Sequence, residues 1–99
     1  MAKVVWTEPA LADLDAIADY VAVDNPLAAR GLIARIFERI EQLETHPLSG
    51  PRVPELRRSR YRQLVEPPCR VFYRFEGRTV FVVHVMRSEM ILRVKRLKL

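Results

Sequence analysis

The sequence predicts an α+β fold, an N-terminal helical hairpin packed on a small antiparallel sheet in the order β-α-α-β-β-β. Three observations carry this reading. Residues 8–23 and 26–45 each place apolar side chains at helical spacing, with only a short Asp24-Asn25 link between them. Residues 60–87 hold three runs rich in Val, Phe, Tyr and Leu, divided by Pro67-Pro68 and by Gly77, as in a meander. Ninety-nine residues, 49% hydrophobic and 29% charged, suit one globular domain over 1–99 with a modest core.

Taken in order, Lys3-Val4-Val5-Trp6 reads as a first or edge strand. Thr7 offers a hydroxyl as N-cap, and Glu8 and Pro9 suit a first helical turn. Leu11, Leu14, Ile17, Ala18 and Val21 form the apolar stripe of the first helix, with Asp13 and Asp19 placed away from it. Asn25, before Pro26, is steered out of the α region, and Pro26 suits the first position of the next helix. Ala29, Leu32, Ile33, Ile36, Phe37, Ile40 and Leu43 form the second stripe. His46-Pro47-Leu48-Ser49-Gly50-Pro51 and Pro54 predict an ordered loop over 46–59, with Arg57, Arg58 and Arg60 at its end.

The meander follows, with strands expected at 60–66, 69–75 and 80–86. If Glu76-Gly77 or Gly77-Arg78 is a two-residue turn, residues 69–75 pair with 80–86 and their faces are set as follows, whereas a three-residue turn reverses the parity. One face then carries Val71, Tyr73, Phe75, Val80, Val82, His84 and Met86, and the hairpin covers it. The other carries Arg70, Phe72, Arg74, Phe81, Val83, Val85 and Arg87, a mixture that suits a binding surface. The closing run Arg93-Val94-Lys95-Arg96-Leu97-Lys98-Leu99 alternates basic and apolar. A strand, a short helix and a loose tail all fit it.

Charge divides the chain unevenly. Residues 1–50 hold 4 Lys/Arg and 8 Asp/Glu, and residues 51–99 hold 13 and 4, giving −4 and +9 within a total of +5. The basic half implies a polyanionic partner, either nucleic acid or an acidic protein segment. No apolar run approaches the roughly 20 residues of a membrane helix. No signal-peptide pattern opens the chain, and the single Cys69 cannot form an internal disulfide, so a reducing, cytoplasmic location is expected.

Chemistry is sparse. No CxxC, HExxH, metal-spaced His pair or Gly-rich phosphate loop is present, so neither metal nor cofactor is expected. A lone Cys69 beside Pro68 reads as an inert buried thiol. The conceivable catalytic set is that of a metal-independent ribonuclease, with Arg62, Arg70, Arg74 and Arg87 as cations and His84, partnered by Glu55, as acid or base. The expected pairing puts His84 on the opposite face from Arg70 and Arg87. Arginine is a poor proton donor, so this set is incomplete.

Several spaced residues together carry a resemblance. They are Trp6-Thr7, Ala10, Asp13-Leu14, Ile17 and Tyr20; Asp24-Asn25-Pro26; His46-Pro47 with Ser49-Gly50; Glu55-Leu56; Tyr61-Arg62 with Leu64; Arg70-Val71-Phe72-Tyr73-Arg74; and Val85-Met86-Arg87. In this order the chain resembles the RelE/ParE toxin superfamily of type II toxin–antitoxin systems over nearly its whole length, and it looks closer to ParE. The resemblance implies a single toxin domain, a helical hairpin on a small sheet, and a cognate acidic, ParD-like antitoxin in a hetero-oligomer. RelE-type members cleave messenger RNA on the ribosome, and ParE-type members poison DNA gyrase. Arg62 and Arg70 match two basic positions of the RelE pattern. Leu64, Val85 and Ile91 stand where a lysine, an arginine and the C-terminal tyrosine would be. The resemblance therefore implies gyrase inhibition, with the ribosome-dependent nuclease as the alternative and catalytic candidates Arg62, Arg70, His84 and Arg87. Antitoxin or target binding is expected at Arg58, Arg60, Arg70, Phe72, Arg74, Phe81, Arg87, Arg93, Lys95 and Arg96. A third reading, a small RNA-binding module, would stack bases on Phe72 and Phe81 beside Arg70 and Arg74.

Overall fold

The chain begins with strand β1 (Lys3–Trp6), which runs directly into helix α1 (Glu8–Asp24). The junction is Thr7. Its hydroxyl accepts the Ala10 N–H at 3.3 Å, donates to the Val82 carbonyl at 2.8 Å, and so fixes the start of α1 against the sheet. A single extended residue, Asn25, separates α1 from α2 (Pro26–Glu41). Its N–H closes α1 onto the Val21 carbonyl, and its side chain accepts the Ala28 N–H at 3.0 Å to open α2. A 3-10 turn over Gln42–Glu44 prolongs α2 and buries Leu43. The computed structural model describes residues 1–97, so Lys98 and Leu99 of the alternating run lie outside the described residues.

Strands β2 (Tyr61–Glu66), β3 (Cys69–Glu76) and β4 (Thr79–Arg87) form the expected antiparallel meander. Gly77, at φ +64°, takes the first place of the two-residue turn between Glu76 and Thr79. The sheet is not purely antiparallel. Its order is β1-β4-β3-β2, and β1 joins β4 in parallel, Lys3 opposite Thr79 through Trp6 opposite Val82. Parallel neighbours cannot be joined by a tight hairpin, and both helices and two strands of the meander lie between β1 and β4 in the chain.

The predicted faces hold only for the first half of the last hairpin. Phe75 pairs Val80 and Tyr73 pairs Val82, but the register then shifts, so Phe72 faces His84 and Val71 faces Val85. One extra residue, Val83, enters β4 as a bulge and reverses the parity of everything after it. Val85 and Arg87 thus belong to the helix side, while His84 and Met86 belong to the second face. The expectation for these four residues is corrected on that ground.

The helix side buries Leu14, Ile17, Leu32, Ile36 and Ile40 against Leu64, Val71, Tyr73, Val80, Val82 and Val85. Two members of the expected stripes stand at its margin, since Leu11 is 41% and Phe37 37% exposed. Phe37 packs on the Trp6 ring at 4.9 Å instead of entering the core. The second face is not open. The 46–59 loop brings in Val53, and a 3-10 turn over Val94–Leu97 brings in Leu97, which bury Tyr61, Phe72, Val83 and Met86.

Candidate functional site

Beyond Val82, β4 has no strand on its outer side, because β1 ends there. Asp13 of α1 fills that place and is not turned away as the helical pattern suggested. Its Oδ2 accepts the Val85 N–H at 3.1 Å and lies 2.6 Å from His84 Nδ1. A carboxylate only accepts, so Nδ1 donates and the ring orientation is fixed. The other carboxylate oxygen takes Arg96 from the C-terminal turn. Burial pushes the Asp13 carboxyl up, but hydrogen bonds from His84, Val85 and Arg96 outweigh it and hold its pKa below the usual 3.8. One carboxylate therefore joins α1, β4 and the C-terminal segment.

Beside it lies a groove of about 380 Å³ between α1 and the end of β4. Ile17, Tyr20, Met86 and Met90 give it an apolar lining, and Arg87, Arg93 and Arg96 line it as well. The Arg87 guanidinium rests 4.1 Å from the Tyr20 ring centre, a cation–π contact on a side chain that is 61% exposed. Tyr20 and Met90 were missed as site residues. A signal existed, because Asp13, Ile17 and Tyr20 are spaced i, i+4, i+7 and so share one stripe of α1.

The other arginines of the meander are committed to neighbours. Arg70 makes two hydrogen bonds to Glu55, 2.7 and 2.8 Å, two more to Gln63, and lies over the Phe72 ring at 4.8 Å. The Arg70 hydrogen bonds lower the Glu55 pKa against the opposing effect of burial. Arg74 is buried over Phe81 at 4.4 Å, with Nε 3.4 Å from Glu76. Its Nη1 has no hydrogen-bond partner among the described residues. Arg60 meets the same Glu76 at 3.0 Å. Arg62 donates to the Leu48 and Gly50 carbonyls at 3.2 and 2.9 Å, holding the loop onto β2. Phe72 is fully buried, so it offers no ring to a base or a partner in this conformation.

The expected residues thus separate. Arg87, Arg93 and Arg96 gather at the groove, and exposed Lys95 lies in the same segment. Arg58 and Arg60 precede β2, whose first residue, Tyr61, pairs with Arg74 near the Gly77 turn at the opposite end of the meander from Arg87. The four nuclease candidates are not brought around one space. Arg70 flanks Phe72 on the second face, His84 and Arg87 both line the groove, with His84 tied to Asp13, and Arg62 is spent on loop carbonyls. Among the described residues no three His, Cys, Asp or Glu side chains cluster as a metal site would require, and no helix is long and apolar enough to cross a membrane.

Known proteins share this architecture. A chain from the chromosomal ParDE TA system of P. aeruginosa superposes with a TM-score of 0.71 at 30% identity, covering 90% of this chain and 98% of that one. A chain of the toxin–antitoxin complex RelBE2 from Mycobacterium tuberculosis gives a TM-score of 0.60 at 22% identity, covering 88% and 98%, which bears on fold alone. In sequence, Toxin RelE2 of Caulobacter vibrioides is 38% identical over 89 residues, 88% of this chain and 92% of that toxin. A helical hairpin on a four-stranded mixed sheet, shared with these chains, is the fold of the RelE/ParE superfamily of type II toxins. Within it, the family model described as "ParE toxin of type II toxin-antitoxin system, parDE" matches residues 4–92. The chain belongs to this ParE toxin family.

Proposed function

We propose that this toxin acts by inhibiting DNA gyrase, and that a cognate acidic, ParD-like antitoxin neutralises it in a hetero-oligomer. One observation carries the choice of target. Three of the four nuclease candidates are already engaged within the fold. His84 is 5% exposed and tied to Asp13, Arg70 is clamped by Glu55 and Gln63, and Arg62 holds the Gly50 loop. Cleavage of RNA needs a group free to exchange a proton at the scissile ribose, and His84, the imidazole among the candidates, is nearly buried with Nδ1 donated to Asp13. The ParE family match adds to this reading. The nuclease alternative draws on the relative named RelE2.

The groove between α1 and β4 suits the antitoxin. An acidic amphipathic segment would lay apolar side chains on Ile17, Tyr20 and Met90 and its carboxylates against Arg87, Arg93 and Arg96. Lys95 extends that basic border. Arg70, Phe72, Arg74 and Phe81 contribute through the fold rather than by contact.

The purified protein is expected to inhibit gyrase supercoiling and to accumulate cleaved DNA, with no cutting of ribosome-bound messenger RNA. Codon-specific cuts in a translating extract, lost in a folded Arg70→Ala variant, would promote the nuclease reading instead.

A further inference from the structure

We propose that the turn leading into β2, residues 52–62, binds the phosphate backbone of duplex DNA without reading its bases. This surface is separate from the antitoxin groove, and the inference does not depend on gyrase being the target. The segment reads RVPELRRSRYR, five arginines with one carboxylate. That carboxylate, Glu55, is taken by Arg70 from β3 through two short hydrogen bonds. Arg60 shares Glu76 with Arg74, so one carboxylate serves two guanidinium groups. No carboxylate of the described residues pairs with Arg52, Arg57 or Arg58. All three are exposed. Arg52 Nη1 donates to the Ser59 carbonyl at 2.6 Å, which brings its charge to the turn that carries Arg57 and Arg58. The result is a concentrated positive potential in which Arg52, Arg57 and Arg58 have no carboxylate partner among the described residues, on the residue type whose planar fork fits phosphate oxygens.

The surroundings select the polyanion. An acidic protein segment needs apolar anchor points, but here Val53 is fully buried and Leu56 half-buried, leaving proline and charged groups outside. An unpaired RNA or DNA strand needs open aromatic faces on which to stack. The nearby rings of Tyr61, Phe72 and Phe81 are instead lidded by Arg60, Arg70 and Arg74 at 5.8, 4.8 and 4.4 Å. A turn, not a helix, presents the arginines, so no element is shaped to enter the major groove. Contacts to a duplex backbone remain, and these position a protein without specifying sequence.

Fluorescence anisotropy with a labelled duplex of roughly 20 base pairs, titrated at several salt concentrations, tests this. Three free arginines should give a slope of log K on log salt near about −2.7, so that affinity falls about 40-fold between about 50 and about 200 mM. The double variant Arg57→Ala/Arg58→Ala should flatten the slope by about 2 and weaken binding at low salt by about tenfold or more. Arg30→Ala, on the exposed side of α2, should change neither. Circular dichroism and thermal melting matching the parent would show that the variants are folded. Duplexes of unrelated sequence should bind alike. An unaltered slope in the double variant overturns the proposal. So does a polyglutamate peptide that displaces duplex more effectively than unlabelled duplex does, which would assign the turn to an acidic protein segment. Tighter binding of a single-stranded RNA of equal length would likewise overturn it.

Discussion

The two faces of the sheet are both closed, but by different chemistry. On the helix side, aliphatic stripes of α1 and α2 meet strand residues that are mostly aliphatic, with Tyr73 among them, and the charged groups stay at the rim, as where Arg35 and Arg39 meet Glu66 at 3.3 and 3.2 Å. On the second face, a smaller apolar cluster is roofed by a loop and a 3-10 turn, and arginines lie flat on aromatic rings at its edge. Burying aliphatic groups needs no partner geometry, so the first face tolerates variation in shape better than in polarity. Guanidinium groups stacked on rings also call for charge and hydrogen-bond partners, which Glu55, Gln63 and Glu76 supply except at Arg74 Nη1, unpartnered among the described residues. The difference matters for function, because the face whose charges need answering is also the one from which excess positive charge reaches the surface.

The largest expected effect lies on the helix side. Ile36 is fully buried at the centre of the α2 stripe, so Ile36→Ala should lower unfolding free energy by about 2–5 kcal/mol. Phe37, its neighbour, lies at the margin on Trp6, and Phe37→Ala should cost about 1–2 kcal/mol despite removing more atoms. Urea denaturation of the two variants checks the ranking. Equal losses would mean that Phe37 belongs to the core after all.

That contrast also marks how far the sequence can be read. Helices, caps, strand order along the chain and the Gly77 turn follow from local signals, because each is decided by residues within a few positions. The margin position of Phe37 depends on Trp6, which arrives from another element. The bulge at Val83 leaves no glycine or proline to announce it, since β4 is an unbroken run of apolar residues around His84. It nevertheless decides which face receives His84, Val85, Met86 and Arg87. The groove was half legible. Arg87, Arg93 and Arg96 stood out by charge, but the role of Asp13 arises because β1 ends at Trp6, opposite Val82, and leaves the Val85 N–H to be satisfied.

Asp13 ties the two faces together, and removing its charge should have an intermediate effect. Asp13→Asn leaves His84 and Arg96 without an anionic partner and should cost about 1–3 kcal/mol at neutral pH. The pH dependence has a definite sign. The folded pKa is depressed below 3.8, so the contribution is complete above that value and is lost as the pH falls through the folded pKa. The stability gap between parent and variant should therefore narrow below pH 3.8. A gap that stays constant on acidification would mean that the residue acts through shape alone. Faster proteolysis near Arg93 in the variant would show that the C-terminal turn is held by this carboxylate.

The smallest effect is expected on the second face, at Glu55. Glu55→Gln keeps an acceptor for Arg70 but removes the charge of a pair whose acidic member is 43% exposed. Water and salt screen such a pair, and exposed ion pairs contribute about 0–1 kcal/mol, so the change in unfolding free energy should stay within that range at neutral pH. The folded pKa of Glu55 is lowered from 4.5, so what little it contributes is complete above that value and disappears as the pH falls further. Added salt should shrink the difference between parent and variant as well. Arg70 still has Gln63 and the Phe72 ring, which keep its guanidinium in place. Its charge, however, is no longer answered, and the net positive charge of residues 52–62 rises by one. The variant should then bind a duplex more tightly at low salt while its stability hardly moves. A loss of stability comparable to that of Ile36→Ala would show instead that ion pairs hold the second face, and the contrast between the two faces would fail.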